Sequence, residues 1–91
     1  MWACTAGVPG VPPKTRHRQK DHAYMRAFGG RVRALRLQQG LTQEKLAELA
    51  GISAAEVGFI ERAEREAGLI MITRLADGLT LPLSELFSAL S

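Results

Sequence analysis

The 91-residue sequence lacks the features that stabilise exported proteins or anchor membrane proteins. Its single cysteine, Cys4, cannot form an internal disulfide, and no group of cysteines and histidines has metal-ligand spacing. No stretch approaches the roughly 18 apolar residues that span a bilayer, and the first residues do not have the pattern of a secretory signal. We therefore expect a cytoplasmic protein without a metal site or a membrane-spanning segment, whose fold depends on apolar packing alone.

Residue sets that carry enzymatic chemistry are also lacking. The sequence shows no Ser/His/Asp or Cys/His set, no paired carboxylates suited to acid–base work and no phosphate-binding glycine loop. Gly29-Gly30 is too weak a signal to indicate a phosphate site. The length suits one small domain, and we expect neither catalytic residues nor a cofactor.

Charge is distributed unevenly along the chain, although the net charge is only +3. Residues 1–36 contain eight basic side chains and one acidic one, a net charge of +7, whereas residues 37–91 contain four basic and eight acidic ones, a net charge of −4. This asymmetry indicates a polyanionic partner, either a nucleic acid or an anionic membrane surface, approached from the N-terminal side. The alternative is a solvated basic tail that binds nothing.

Residues 1–24 show neither the period of a strand nor that of a helix, and they contain three of the four prolines. Such a segment cannot bury enough apolar surface to offset the entropy lost on ordering. We predict a flexible basic arm over residues 1–24 and a folded domain over residues 25–91. The basic residues of this arm that we expect to contact a polyanion are Lys14, Arg16, Arg18 and Lys20.

From residue 28 onward, apolar residues recur at helical spacing with short breaks between segments. Phe28, Val32 and Leu35 form a first stripe that ends at Gly40. No strand-like alternation is present, so the pattern predicts an all-α fold with five short helices. The inward residues predicted for the later segments are Leu46, Ala47, Ala50, Val57, Ile60, Leu69, Ile72, Leu75 and Ala76. The fifth segment begins near Pro82 and contains Leu83, Leu86, Phe87 and Leu90.

The most informative window is residues 43–62, QEKLAELAGISAAEVGFIER. Two helices cross steeply over a short turn only if the residues at the crossing are small and the turn accepts a positive φ. Ala47, Ala50 and Gly51 satisfy both conditions. Thr42 is suited to cap the first of these helices, and Ser53 with Glu56 forms a capping box for the second. The window therefore predicts a helix-turn-helix.

These residues resemble the lambda repressor and Cro family of helix-turn-helix proteins, also called the xenobiotic-response-element type. The resemblance covers Phe28 to Phe87, through FGGRVRALR, GLTQEKLAELAGIS, FIER and LADGLTLPLSELF. It implies a compact five-helix domain that dimerises and binds palindromic operators in double-stranded DNA, with the third helix in the major groove. The expected function is that of a sequence-specific transcriptional regulator.

The resemblance also assigns roles to single residues. At the start of the second helix, Thr42 and Gln43 match positions that hold DNA phosphate, and the helix N-terminus favours an anion there in any case. Arg36 and Glu61 match an internal ion pair. Arg62 and Arg65 match a loop that contacts phosphates. The reading helix contributes Ser53, Ala54, Ala55, Glu56, Gly58 and Phe59.

The side chains of the reading helix offer few hydrogen bonds to bases. Ala54, Ala55 and Phe59 can only press on thymine methyl groups, whereas Glu56 could accept from a cytosine amino group if it does not serve the capping box. A protein-interaction or antitoxin-like module, whose partner would be a toxin or RNA polymerase, is therefore the alternative function. Leu37 and Leu49 indicate either an unusual packing of this domain or an apolar surface offered to a partner. The apolar band over residues 69–72 predicts a self-association surface near the fourth and fifth helices.

Overall fold

The computed structural model describes residues 13–90, and the side chains of residues 17–88. Its elements are α1 (Pro13–Gln38), α2 (Gln43–Ala50), α3 (Ala54–Glu61), α4 (Leu69–Leu79), α5 (Leu83–Leu86) and a closing 3₁₀ turn (Phe87–Leu90). No strand occurs among these residues. The predicted all-α, five-helix fold is confirmed.

The core lies where the apolar stripes of the helices meet. α2 packs against α3 and α4, and α1 packs against α3 and the 3₁₀ turn. Most of the predicted inward residues are buried here. The buried apolar set comprises Phe28, Val32, Leu35, Leu46, Ala47, Ala50, Val57, Ile60, Ala63, Leu75, Ala76, Leu79 and Leu86.

The first helix is longer than predicted. It continues back to Pro13, so residues 13–24, where the sequence pattern predicted no helix, are helical. Pro13 is tolerated in the first turn of a helix, and the lysines, arginines and glutamines that follow it are good helix formers. Residues 1–12 lie outside the described part of the chain. At 1.5 Å per residue, α1 measures roughly 39 Å, which accounts for the longest dimension of the molecule, 45 Å.

The apolar pattern of α4 and α5 overestimates burial at the helix ends. Leu69 is 70% exposed because it is the first residue of α4 and lies beyond the edge of the core. Leu83 begins α5 and is 38% exposed for the same reason. Phe87 remains partly exposed, although its ring centroid lies 6.1 Å from that of Phe28. The side chain of Leu90 lies outside those described.

The backbones of α1 and α3 approach each other at Gly29. A Cβ on this residue would collide with the carbonyl oxygen of Ile60 and lie 3.0 Å from that of Glu61. Only glycine allows so close a contact between two backbones. Gly29 therefore fixes the position of α1 against the end of α3, a packing role that no residue pattern in the sequence indicated.

Candidate nucleic-acid interface

The predicted helix-turn-helix is present over α2 and α3. Gly51 ends α2 with φ 75° and ψ 32°, and its amide donates to the carbonyl of Ala47 at 2.8 Å. This left-handed conformation turns the chain sharply. Glycine suits the position because a side chain would be strained at this φ. Val57 and Ile60 of α3 are buried, and Ile52 packs against the core from the turn. The two helices are thus locked together as the spacing of small and apolar residues predicts.

The N-terminus of α3 is capped by Ser53 and Glu56. Ser53 Oγ accepts from the Glu56 amide at 3.1 Å, and Glu56 Oε1 accepts from the Ser53 amide at 3.0 Å. The predicted capping box is confirmed. Because this carboxylate already serves the cap, Glu56 has less capacity to accept a hydrogen bond from a cytosine.

Removing this cap should loosen the first turn of α3. We expect Ser53→Ala to lower the free energy of unfolding by about 1 kcal/mol, since it leaves the Glu56 amide without its acceptor. Urea denaturation followed by circular dichroism measures the change. Ser84→Ala, at an exposed position in α5, is the matched control and should stay within about 0.5 kcal/mol of the wild type. Equal effects of the two substitutions would argue against a stabilising cap.

A buried ion pair fixes the C-terminal end of α3. Arg36 Nε donates to Glu61 Oε2 at 2.7 Å, and Arg36 Nη2 donates to Glu61 Oε1 at 3.0 Å. Arg36 Nη1 also donates to the carbonyl of Leu41 at 2.9 Å. The hydrogen bond to Glu61 raises the pKa of Arg36 despite the opposing effect of burial. Arg36 and Glu61 thus form an internal ion pair between the first and third helices.

Gln43 belongs to the same buried network. Its Nε2 donates to Glu61 Oε1 at 3.0 Å, so its amide group is directed at the ion pair in this structure. Thr42, its neighbour, is exposed and caps α2 through Oγ1, which accepts from the Lys45 amide at 3.0 Å. The start of α2 therefore presents Thr42 to the solvent, while Gln43 links this helix end to the end of α3.

The accessible face of α3 is short and weakly polar. Ser53 and Ala55 are exposed, whereas Ala54 and Phe59 are half-buried. Gly58 is buried, and the guanidinium of Arg62 lies over it, so Gly58 does not lie on the exposed face. Among the predicted reading residues, α3 and its cap thus leave Ser53, Ala54, Ala55 and Phe59 at least partly accessible. Gly58 lies beneath the side chain of Arg62.

Two arginines follow α3 and surround Phe59. The Cζ atoms of Arg62 and Arg65 lie 5.6 Å and 4.6 Å from the centroid of the Phe59 ring. Arg62 also pairs with Glu64, with 3.1 Å between Nε and Oε2. Of the two predicted phosphate ligands, Arg62 therefore has a carboxylate partner and Arg65 has only the aromatic ring among the described residues.

The four basic residues of the predicted arm all lie on α1. Arg18 and Lys20 are exposed on this helix, whereas the side chains of Lys14 and Arg16 lie outside those described. A groove of about 310 Å³ lies between α1 and the loop after α3, and Asp21, Tyr24 and Arg65 are among the residues that line it. The loop that carries Arg65 therefore faces α1 at Asp21 and Tyr24, on the C-terminal side of Arg18 and Lys20.

Two of the hydrogen bonds that join different helices were not predicted from the sequence. The bond from Gln43 to Glu61 was not foreseen, although a glutamine that begins α2 is within reach of any acid that pairs with Arg36. Arg31 Nη2 donates to Glu85 Oε2 at 3.1 Å and joins α1 to α5. A separation of 54 residues leaves no local signal for this pair.

Residues 13–90 contain no helix long and apolar enough to cross a membrane. Within the same range, no group of three or more histidine, cysteine or acidic residues could hold a metal ion.

Comparison with known proteins gives concordant matches. The family model HTH_3, described as helix-turn-helix, matches residues 32–86. The HTH-type transcriptional regulator YazB of Bacillus subtilis (strain 168) is 41% identical over 59 residues, which cover 65% of this chain and 86% of YazB. The chain is thus similar to a regulator over most of that regulator's length.

Two solved structures extend this similarity to the fold. The restriction-modification controller protein C.AhdI from Aeromonas hydrophila is 43% identical, with a TM-score of 0.70 over 71% of this chain and 98% of that chain. An HTH_3 family transcriptional regulator from Vibrio cholerae is 29% identical, with a TM-score of 0.72 over 75% of this chain and 38% of that chain. The chain belongs to the HTH_3 family of Cro/C1-type helix-turn-helix proteins, which are DNA-binding transcriptional regulators and not enzymes.

Proposed function

We propose that the protein binds a palindromic operator as a homodimer, with α3 of each protomer in the major groove, and thereby regulates transcription in the cytoplasm. The observation that carries this proposal is the fixation of α3 at both ends. Its first turn is capped by Ser53 and Glu56, and its last residue is held by Arg36. A short helix fixed in this way keeps Ala55 and its neighbours on an accessible, rigid edge, as groove insertion requires.

Phosphate contacts would supply most of the affinity, since the reading face offers few hydrogen bonds. We expect Thr42 and the α2 amides, Arg62 and Arg65 to contact the backbone. Arg18 and Lys20 on α1, with Lys14 and Arg16 before them, would extend the contact along the duplex. The similarity to a restriction-modification controller supports a small regulator of that kind.

The contribution of α1 can be measured through the salt dependence of binding. We expect the double variant Arg18→Gln, Lys20→Gln to bind a random-sequence duplex more weakly than the wild type. The slope of log affinity against log salt should become shallower by up to about 2, because each lost phosphate contact removes about 0.9 from it. Fluorescence anisotropy between about 50 and 200 mM salt gives this slope. An unchanged slope would contradict DNA contact by these two residues.

The exposed start of α4 supports a homodimer. Leu69 and Ile70 are 70% and 64% exposed and adjacent, an apolar surface of the sort that a second protomer covers. A symmetric dimer would place two reading helices one DNA turn apart, roughly 34 Å.

Substitution of this surface should separate the protomers. We expect Ile70→Lys to sediment as a monomer at tens of micromolar, whereas the wild type sediments as a dimer. Leu37→Lys is the matched control, since Leu37 is a similarly exposed apolar residue on α1, at 52%. A wild-type monomer at this concentration, a dimeric Ile70→Lys variant, or a monomeric Leu37→Lys variant would contradict an interface at the start of α4.

The weakly polar face of α3 favours one second candidate, a protein-interaction or antitoxin-like module that binds a toxin or RNA polymerase. Ala54, Ala55 and Phe59 provide contact surface without hydrogen-bonding groups. Binding of a random-sequence duplex at low salt separates the two candidates, since a regulator retains electrostatic affinity for any duplex. Absence of such binding would favour the interaction module.

A further inference from the structure

Five residues at the end of α3 and in the following loop form one connected cluster: Gly58, Phe59, Arg62, Glu64 and Arg65. We call this set the Phe59 cluster. It lies directly after the accessible face of α3, and the amide of Glu64 donates to the carbonyl of Phe59 at 2.8 Å. This backbone bond brings the loop back over the last turn of the helix, so that both arginines come close to the ring.

Gly58 makes room for one of these arginines. A Cβ on Gly58 would lie 2.9 Å from Arg62 Nη1 and 3.5 Å from Arg62 Cζ. Glycine lowers the stability of a helix interior, so helix propensity does not explain why a glycine occupies this position. Its missing side chain leaves the space in which the guanidinium of Arg62 lies against α3.

Phe59 holds both guanidinium groups on its ring. Distances of 4.6 Å for Arg65 and 5.6 Å for Arg62 fall within the roughly 6 Å over which a cation is attracted to an aromatic ring. Glu64 engages Arg62 with both carboxylate oxygens, through Nε at 3.1 Å and Nη2 at 3.2 Å. Arg65 makes no ion pair among the described residues, so its guanidinium keeps its hydrogen-bond donors for another acceptor.

We propose that Phe59 is a positioning residue for phosphate binding and does not read a base. Its ring orients the guanidinium of Arg65, and that of Arg62 beside it, toward the DNA backbone. This inference rests on the proposed function. A guanidinium that is already oriented loses less conformational freedom when it binds a phosphate, and its planar donors suit two phosphate oxygens. Arg65 is the principal ligand because Arg62 is shared with Glu64.

The first test compares Phe59→Leu and Phe59→Tyr in the full chain with the wild type. Leucine retains apolar volume but removes the ring, whereas tyrosine retains the ring face. We expect Phe59→Leu to bind a random-sequence duplex about threefold to tenfold more weakly, with a log–log salt slope shallower by up to about 1. Phe59→Tyr should match the wild type in both. A Phe59→Leu variant with wild-type affinity and slope would overturn the proposal.

A second test uses Gly58→Ala, which does not depend on the folding of Phe59→Leu. Alanine favours the helix, so the melting temperature should stay equal or rise, while the new methyl group displaces the guanidinium of Arg62. We expect weaker binding of the same duplex with no loss of thermal stability, a combination that a merely structural role would not produce. Binding equal to that of the wild type would contradict a contribution to DNA binding from the position of Arg62 against Gly58.

The two tests also separate this inference from the proposed function. If the wild type bound no duplex, the proposed function would fail. If the wild type bound duplex and the variants bound it equally well, this inference alone would be overturned.

Discussion

Replacing Glu61 with alanine lowers the free energy of unfolding by about 3–5 kcal/mol, because the substitution leaves the charge of Arg36 buried without a partner. The side chains of Arg36 and Glu61 are only 9% and 2% exposed, so solvent screens the pair little and the charge of Arg36 depends on this carboxylate. Gln43 Nε2 would lose its acceptor as well. Urea denaturation of Glu61→Ala against the wild type measures the loss.

A surface ion pair provides the matched control for this prediction. Lys45 and Glu48 lie 3.2 Å apart on α2, but their side chains are 54% and 70% exposed. Glu48→Ala should therefore change the free energy of unfolding by no more than about 0.5 kcal/mol. If both substitutions had similarly small effects, the pair between Arg36 and Glu61 would not be what holds α3 against α1.

Replacing Gly29 with alanine lowers the free energy of unfolding by about 1–3 kcal/mol, because the added methyl group forces the backbones of α1 and α3 apart. The obstacle is the Ile60 carbonyl, which cannot move aside as a flexible side chain could. Thermal and urea denaturation would both show the loss.

The adjacent glycine is the control, and it should respond with the opposite sign. Gly30 is exposed on the same helix, and a Cβ there would meet no atom within 4 Å. Gly30→Ala should raise the free energy of unfolding by up to about 1 kcal/mol, since alanine is the better helix former. Stabilisation by both substitutions would show that α1 and α3 do not approach closely at Gly29.

Features that depend on near neighbours in the chain could be predicted from the sequence. The stripe of Phe28, Val32 and Leu35, the bounds of α2 and the capping box at Ser53 all follow from spacings within eight residues. The pair between Arg36 and Glu61 was predicted only through the resemblance to a family, because no local rule connects residues on different helices.

Features that depend on the ends of elements and on contacts between elements could not be predicted. The polar residues before Phe28 fit a helix as well as an arm, so the pattern gave no sign that α1 continues back to Pro13. Leu69 continues an apolar stripe, but whether a stripe residue is buried depends on where the neighbouring helix ends. The role of Gly29 required the position of α3.

The candidate site shows the same division. The reading helix and its cap could be predicted, whereas the contacts of Phe59 with two arginines depend on the loop after α3. This loop passes through Ala63 at φ 58°, a left-handed conformation that non-glycine residues rarely adopt and that no residue pattern indicated. The sequence therefore predicted Arg62 and Arg65 as ligands without indicating what orients them.

The central claim is that the exposed edge of α3 enters the DNA groove, and cleavage of DNA from a tethered iron chelate tests it most directly. The only cysteine, Cys4, is replaced by serine, and a single cysteine is introduced either at Ala55 on α3 or at Ser84 on α5. We predict that the chelate at position 55 cuts bound duplex at positions clustered about its contact site, and that the chelate at position 84 cuts little. Equal cutting from both positions, or cutting from position 84 alone, would contradict the account.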